Sequence, residues 1–104
     1  MMKVYFSEKT ERRIDATAEY IKDEFGRNAE HNFKRKIRDI VRLLRRNPYL
    51  GPIEPLLSDL PEAYRSIVVG SLNKMVYHIV DDRIEVSDFW DCRREPQTQA
   101  KQVK

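Results

Sequence analysis

Residues 8 to 46 hold two apolar stripes at helical spacing with only Gly26 to Asn28 between them, and this junction constrains the fold more than any other feature. In the first stripe Ile14, Ala18, Ile21 and Phe25 recur at steps of four, three and four, which puts them on one helix face. Ser7 suits the N-cap, Glu8 and Glu11 fall in the first turn where the helix dipole favours acids, and Gly26 is a natural stop. Asn28 can cap the second helix, whose stripe is Ala29, Phe33, Ile37, Ile40, Val41 and Leu44. Asn47-Pro48 ends it, because proline lacks the amide donor and disfavours helix in the residue before it. A link this short makes the two helices an antiparallel hairpin.

The strand signals lie on either side of that hairpin. "KVYFS" at 3 to 7 reads as a short strand. "YRSIVV" (64–69), "KMVYHIV" (74–80) and "RIEVSDFW" (83–90) read as three more, the last two joined at Asp81-Asp82, where a tight turn tolerates positive φ. Between hairpin and strands, Pro48, Gly51, Pro52, Pro55 and Pro61 mark an irregular crossover with a turn of helix near Glu54 to Leu57. The expected fold is α+β, in the order β-α-α-β-β-β, with the helical hairpin packed on one face of a small, mainly antiparallel sheet. Strand parity sends Met75, Tyr77 and Ile79 to the core, and Lys74, Val76, His78 and Val80 to a second face expected to stay open. Residues 1 to 97 form a single domain, and the polar, aperiodic "QTQAKQVK" makes 98 to 104 a mobile tail.

Charge is distributed unevenly along this frame. Residues 27 to 46 carry eight basic side chains against Glu30 and Asp39, a local +6, while 81 to 91 is acidic and 93 to 104 basic again. A polyanionic or acidic partner fits that distribution. No apolar run is long enough to span a bilayer, no secretory leader is visible, and the one cysteine, Cys92, makes no internal disulfide. The cytoplasm is the expected compartment.

The sequence lacks the signatures of common cofactor sites. Cys92, His31 and His78 show no zinc spacing, and Gly26, Gly51 and Gly70 form no phosphate-binding glycine pattern, so neither metal nor cofactor is expected. What remains is a set of cationic and titratable groups: Arg65, Lys74, His78, Arg93 and Arg94, with Asp91 nearby. Such a set can grip phosphate. It can also cleave RNA without metal if one group takes the 2′-hydroxyl proton while cations stabilise the developing charge.

The order of elements, with "AYRSIVVG", "NKMVYHIVDDRIEVSDFWD" and "CRREP", resembles the RelE/ParE superfamily of bacterial toxins from type II toxin–antitoxin systems, over residues 3 to 96. The resemblance implies a toxin neutralised by a cognate antitoxin that wraps it and carries it to operator DNA. RelE-like members cut mRNA on the ribosome, and ParE-like members inhibit DNA gyrase. Lys74 falls where RelE-like nucleases usually place an arginine at the start of this strand, and Arg94, or Arg93 one position earlier, falls at their arginine near the last strand's end. The tyrosine or histidine those nucleases carry just beyond is missing from "EPQTQAKQVK". The ParE-like ending of two basic residues, an acid and proline is matched by Arg93, Arg94, Glu95 and Pro96, with Asp91 in place of that pattern's histidine.

The resemblance therefore points to a ParE-like gyrase inhibitor, a binder rather than an enzyme, with Arg65, Asp91, Arg93 and Arg94 meeting the target. The alternative is a metal-independent mRNA endonuclease in which Lys74 and Arg94 stabilise phosphate and His78 accepts the proton. A third reading is a degenerate toxin that acts only in antitoxin binding and autoregulation. The basic second helix suggests that the antitoxin segment is helical, acidic and apolar, and packs on the helices and open sheet edges.

Overall fold

The computed structural model describes residues 1–93, 100, 101 and 103. Strand β1 (Lys3–Phe6) leads into helix α1 (Glu8–Phe25) and helix α2 (Arg27–Arg46). A single 3-10 turn, Pro55–Leu57, then precedes strands β2 (Arg65–Val69), β3 (Asn73–Val80) and β4 (Arg83–Asp91). The sheet order is β1-β4-β3-β2. β1 runs parallel to β4, and the other pairings are antiparallel. The expected α+β architecture is thus the one observed, and the first strand finds its partner at the far end of the chain.

Each helix boundary has a local cause. The Ser7 hydroxyl accepts from the Thr10 amide at 3.1 Å, and the Thr10 hydroxyl in turn donates to the Val86 carbonyl at 3.1 Å, which pins the first turn of α1 to β4. Gly26, at φ 94°, serves both helices: its amide donates to the Lys22 carbonyl and its carbonyl accepts from Glu30. Asn28 is therefore not the cap expected of it but lies inside α2. A residue free to take positive φ reverses the chain in one step, which leaves no room for a separate cap. Asp81, at φ 54°, makes the β3–β4 turn as its residue type suggested.

The main core lies between the hairpin and the sheet. Ala18, Phe33, Ile37 and Leu44 of the helices meet Val69, Met75, Tyr77, Ile84, Val86 and Phe89. Tyr77 closes one end of this core: its hydroxyl donates to the Pro48 carbonyl at 2.8 Å and accepts from the Gly51 amide at 2.9 Å. Gly51 sits so close to β2 that a Cβ there would come within 2.5 Å of the Ser66 carbonyl oxygen, so no larger residue fits without moving backbone.

The second sheet face is covered, contrary to expectation. Val76 and Trp90 are buried there with Leu57 and Ala100, flanked by Leu56, Leu60, Tyr64 and Val103. The leucines of the proline-rich crossover supply the apolar area that the parity reading left unpaired. Ala100, Lys101 and Val103, in the stretch read as a mobile tail, are helical, and Ala100 and Val103 join this cluster. At those residues the chain is packed, because its small apolar side chains complete the cover over Trp90. Among the described residues, no helix is long and apolar enough to cross a membrane.

Candidate functional site

The sheet distributes the candidate residues over three places. Lys74 opens β3 on the second face, level with Trp90 of β4 and Val68 of β2. Its ammonium does not face solvent alone. It donates to Glu54 Oε1 and lies 5.1 Å from the centre of the Trp90 ring. Glu54, only 1% exposed, also accepts from the Leu56 amide at 3.0 Å and the Ser66 hydroxyl at 3.0 Å. Burial by itself raises the Glu54 pKa, but the hydrogen bonds from Lys74, Leu56 and Ser66, with the Lys74 charge, outweigh it and hold the carboxyl below its ordinary value. Glu54 was not legible as a site residue, since a lone acid in a proline-rich loop looks solvated.

The Glu54 shift has a consequence for stability. A carboxyl whose folded pKa is depressed stabilises the fold above its unfolded value, about 4.3 for glutamate, and loses that contribution as pH falls through the lower folded value. The melting temperature of the native chain should therefore fall between pH 6 and pH 3 more steeply than that of a Glu54→Gln variant. Parallel slopes in thermal melts across that range would show that Glu54 does not contribute to the acid sensitivity.

His78 shares Lys74's face, four residues along β3. Its Nδ1 is 3.2 Å from the Ser87 hydroxyl, its Nε2 is 3.6 Å from Glu85 Oε2, and its ring packs against Tyr64 with centroids 4.7 Å apart. Arg65 lies near it in an open cleft that Tyr49 and Glu62 also line. There the guanidinium donates to the Gly51 carbonyl at 2.8 Å and rests 4.9 Å from the centre of the Tyr49 ring. The structure thus brings His78 and Arg65 together, but each already has partners and neither faces Lys74.

Asp91 and Arg93 form the third group. Arg93 donates to Asp91 through its backbone amide at 2.9 Å, Nε at 3.1 Å and Nη2 at 3.0 Å. The Asp91 hydrogen bond and charge, with a smaller effect of Tyr20, raise the Arg93 pKa further. Together these residues rim a groove of about 410 Å³ between α1 and the ends of β3 and β4, floored by Ile21 and Phe89. Its walls expose Tyr20, Phe25 and Leu72 at 49%, 70% and 43%, a concentration of apolar area that invites a protein partner. Arg94 lies outside the described residues. Cys92 is exposed, and its amide donates to the Leu72 carbonyl.

Asp88 precedes Phe89 of the groove floor in β4. This carboxylate is fully buried and accepts from Arg13 Nη1 at 2.6 Å, the Phe89 amide at 2.8 Å and the Trp90 indole at 3.0 Å, with Lys9 at 3.5 Å. It ties α1 to the end of β4, so the groove walls stand in fixed relation.

Solved structures share this fold at low sequence identity. The "Chromosomal ParDE TA system from P. aeruginosa" superposes with a TM-score of 0.70 at 16% identity, covering 88% of this chain and 96% of that one. The "YoeB/ParE toxin from Agrobacterium tumefaciens" gives 0.61 at 23% identity, over 86% and 98%. The E. coli DinJ-YafQ complex gives 0.61 at 17%, over 88% and 93%. No curated protein sequence matches the chain. The family model for the ParE toxin of the type II toxin–antitoxin system parDE does match, from residue 4 to residue 96, a span that takes in both helices, strands β2 to β4 and all but the first residue of β1. The chain therefore belongs to the ParE toxin family of type II toxin–antitoxin systems.

Proposed function

We propose that the protein acts as a toxin by binding and inhibiting DNA gyrase, and that a cognate antitoxin neutralises it. The observation that carries the binding reading over RNA cleavage is the state of Lys74, whose charge is already paired with buried Glu54 and covered by Trp90. A cation so engaged is a poor stabiliser of a developing phosphate charge, and a carboxylate with a lowered pKa is a poor general base. His78, packed on Tyr64 four residues away, completes no acid–base pair with either. Arg65, Asp91, Arg93 and, from the sequence, Arg94 remain the groups proposed to meet the target.

For the antitoxin, the groove between α1 and β4 is the best seat, since Tyr20, Phe25 and Leu72 supply apolar area and Arg13 and Arg93 a cationic rim for an acidic, apolar helix. Purified protein should block supercoiling of relaxed plasmid by gyrase at near-stoichiometric ratios and leave ribosome-bound mRNA intact. A Phe25→Asp variant should inhibit equally while needing at least tenfold more antitoxin for relief, as expected for an anchor side chain. Cleaved mRNA with unimpaired supercoiling would overturn the gyrase reading, and unchanged relief of the variant would move the antitoxin elsewhere.

A further inference from the structure

The outer face of α2 is not used by any of the groups above, and it carries most of the basic side chains of a segment with a local charge of +6. At 100° per residue, Arg27, Lys34, Arg35, Arg38, Arg42, Arg45 and Arg46 fall within a sector of about 120° opposite buried Phe33, Ile37 and Leu44. All of them are exposed. From Arg27 to Arg45 the stripe runs ~27 Å along a straight helix. Few of these charges are met from within. Lys34 and Arg42 have surface contacts of 3.5 and 3.6 Å to Glu30 and Asp39 at the stripe's margins, whereas Arg27, Arg38 and Arg46 have no ionic partner among the described residues. The neighbouring helix has the opposite balance on its outer face, with Glu8, Glu11, Asp15, Glu19 and Asp23 exposed against Arg12 and half-buried Lys22, so the positive stripe does not continue from α2 onto α1.

Two features of the stripe select its partner. It contains no apolar side chain, and a docked protein helix needs apolar area at the centre of its interface. Phosphate binding needs none, because its driving force is the release of condensed counterions. Single strands need a series of rings on which successive bases stack, and the stripe offers one, the His31 imidazole. Its cations spread to both flanks of a rod about 10–12 Å across, which suits the two phosphate walls of a B-form major groove about 12 Å wide and not the deep, narrow groove of A-form RNA.

We propose that the outer face of α2 is a duplex-DNA contact surface, gripping backbone phosphates without reading sequence, so that this toxin meets DNA directly and not only through its antitoxin. The surface is separate from the groove and from the residues offered to gyrase, so the assignment stands or falls independently of the proposed target.

The test is fluorescence anisotropy of the full chain with a duplex of about 20 base pairs, two helical turns, between 50 and 200 mM salt. Binding should weaken steeply with salt, and an Arg38→Glu/Arg42→Glu variant should lose at least tenfold in affinity and about two from the log–log salt slope, near 0.9 per phosphate contact. The comparison variant, Arg12→Glu/Lys22→Glu, makes the same change of charge on the outer face of α1 and should keep both the slope and most of the affinity. Circular dichroism on each variant establishes that the helices are intact. Equal losses in the two variants would reduce the effect to net charge. No salt-dependent duplex binding by the native chain, or equal binding to duplex RNA of the same length, would overturn the assignment.

Discussion

Replacing Asp88 with alanine is expected to destabilise the protein by about 3–5 kcal/mol, the range found when one partner of a buried ion pair is removed. For a domain of this size that lowers the melting temperature by more than about 10 °C. The loss is of hydrogen-bond satisfaction as well as of charge attraction. The carboxylate, 0% exposed, accepts from the Phe89 amide, the Trp90 indole and the Arg13 guanidinium, and Lys9 lies within 3.5 Å. Alanine would leave the buried amide and indole donors without an acceptor and crowd two cations beside them. Asp88→Asn keeps an acceptor for one donor but loses the charge, and should fall between alanine and the native chain. Thermal melts of the three proteins decide it. A drop under about 3 °C for alanine would show that the link from α1 to β4 is held by packing alone.

Asp88 also shows where reading the sequence by periodicity fails. The run "RIEVSDFW" alternates through Ile84 and Val86, both core, and Asp88 keeps their parity. The β3–β4 register slips at this point: Tyr77 pairs with Val86 and Val76 with Asp88, so Ser87 is an extra residue and the core parity passes to Phe89. A bulge inverts which side chains face inward, and nothing in the composition of the run announces it. The two helices and the three-strand meander were legible because their signals are local, in stripes, caps and turn residues. The cover on the second face was not, since Leu56, Leu57 and Leu60 sit among prolines without any period and gain meaning only when Val76 and Trp90 need burying.

The candidate site divides in the same way. Asp91 and Arg93 are two residues apart, so their pairing follows from proximity, and it is observed. Arg65 lies on β2 level with Tyr77, whereas Asp91 lies level with Asn73, four positions along β3 and two strands away. Arg65 and Asp91, which looked like members of one set, therefore lie on separate surfaces. Lys74 was legible as a cation on the second face, but its neutralisation by a carboxylate twenty residues earlier depends on how the crossover folds back over the sheet.

That neutralisation leads to the second large effect. Glu54→Leu on its own should cost about 3–5 kcal/mol, because the Lys74 ammonium, 23% exposed, is left beside Trp90 without a counter-charge. The Leu56 amide and the Ser66 hydroxyl lose their acceptor in the same stroke. Adding Lys74→Met removes the stranded charge and fills the space with a flexible apolar side chain. The double variant should then recover at least about 1–2 kcal/mol of the loss, since exchanging a whole buried pair for apolar residues is often close to neutral. The same protein also discriminates between the two modes of action. If the toxin works by binding gyrase through other surfaces, the double variant, once shown to be folded by its thermal melt, should block supercoiling as the native chain does. A folded double variant that no longer arrests growth would place Lys74 or Glu54 in the toxic event itself, and the binding reading would give way to chemistry at that pair.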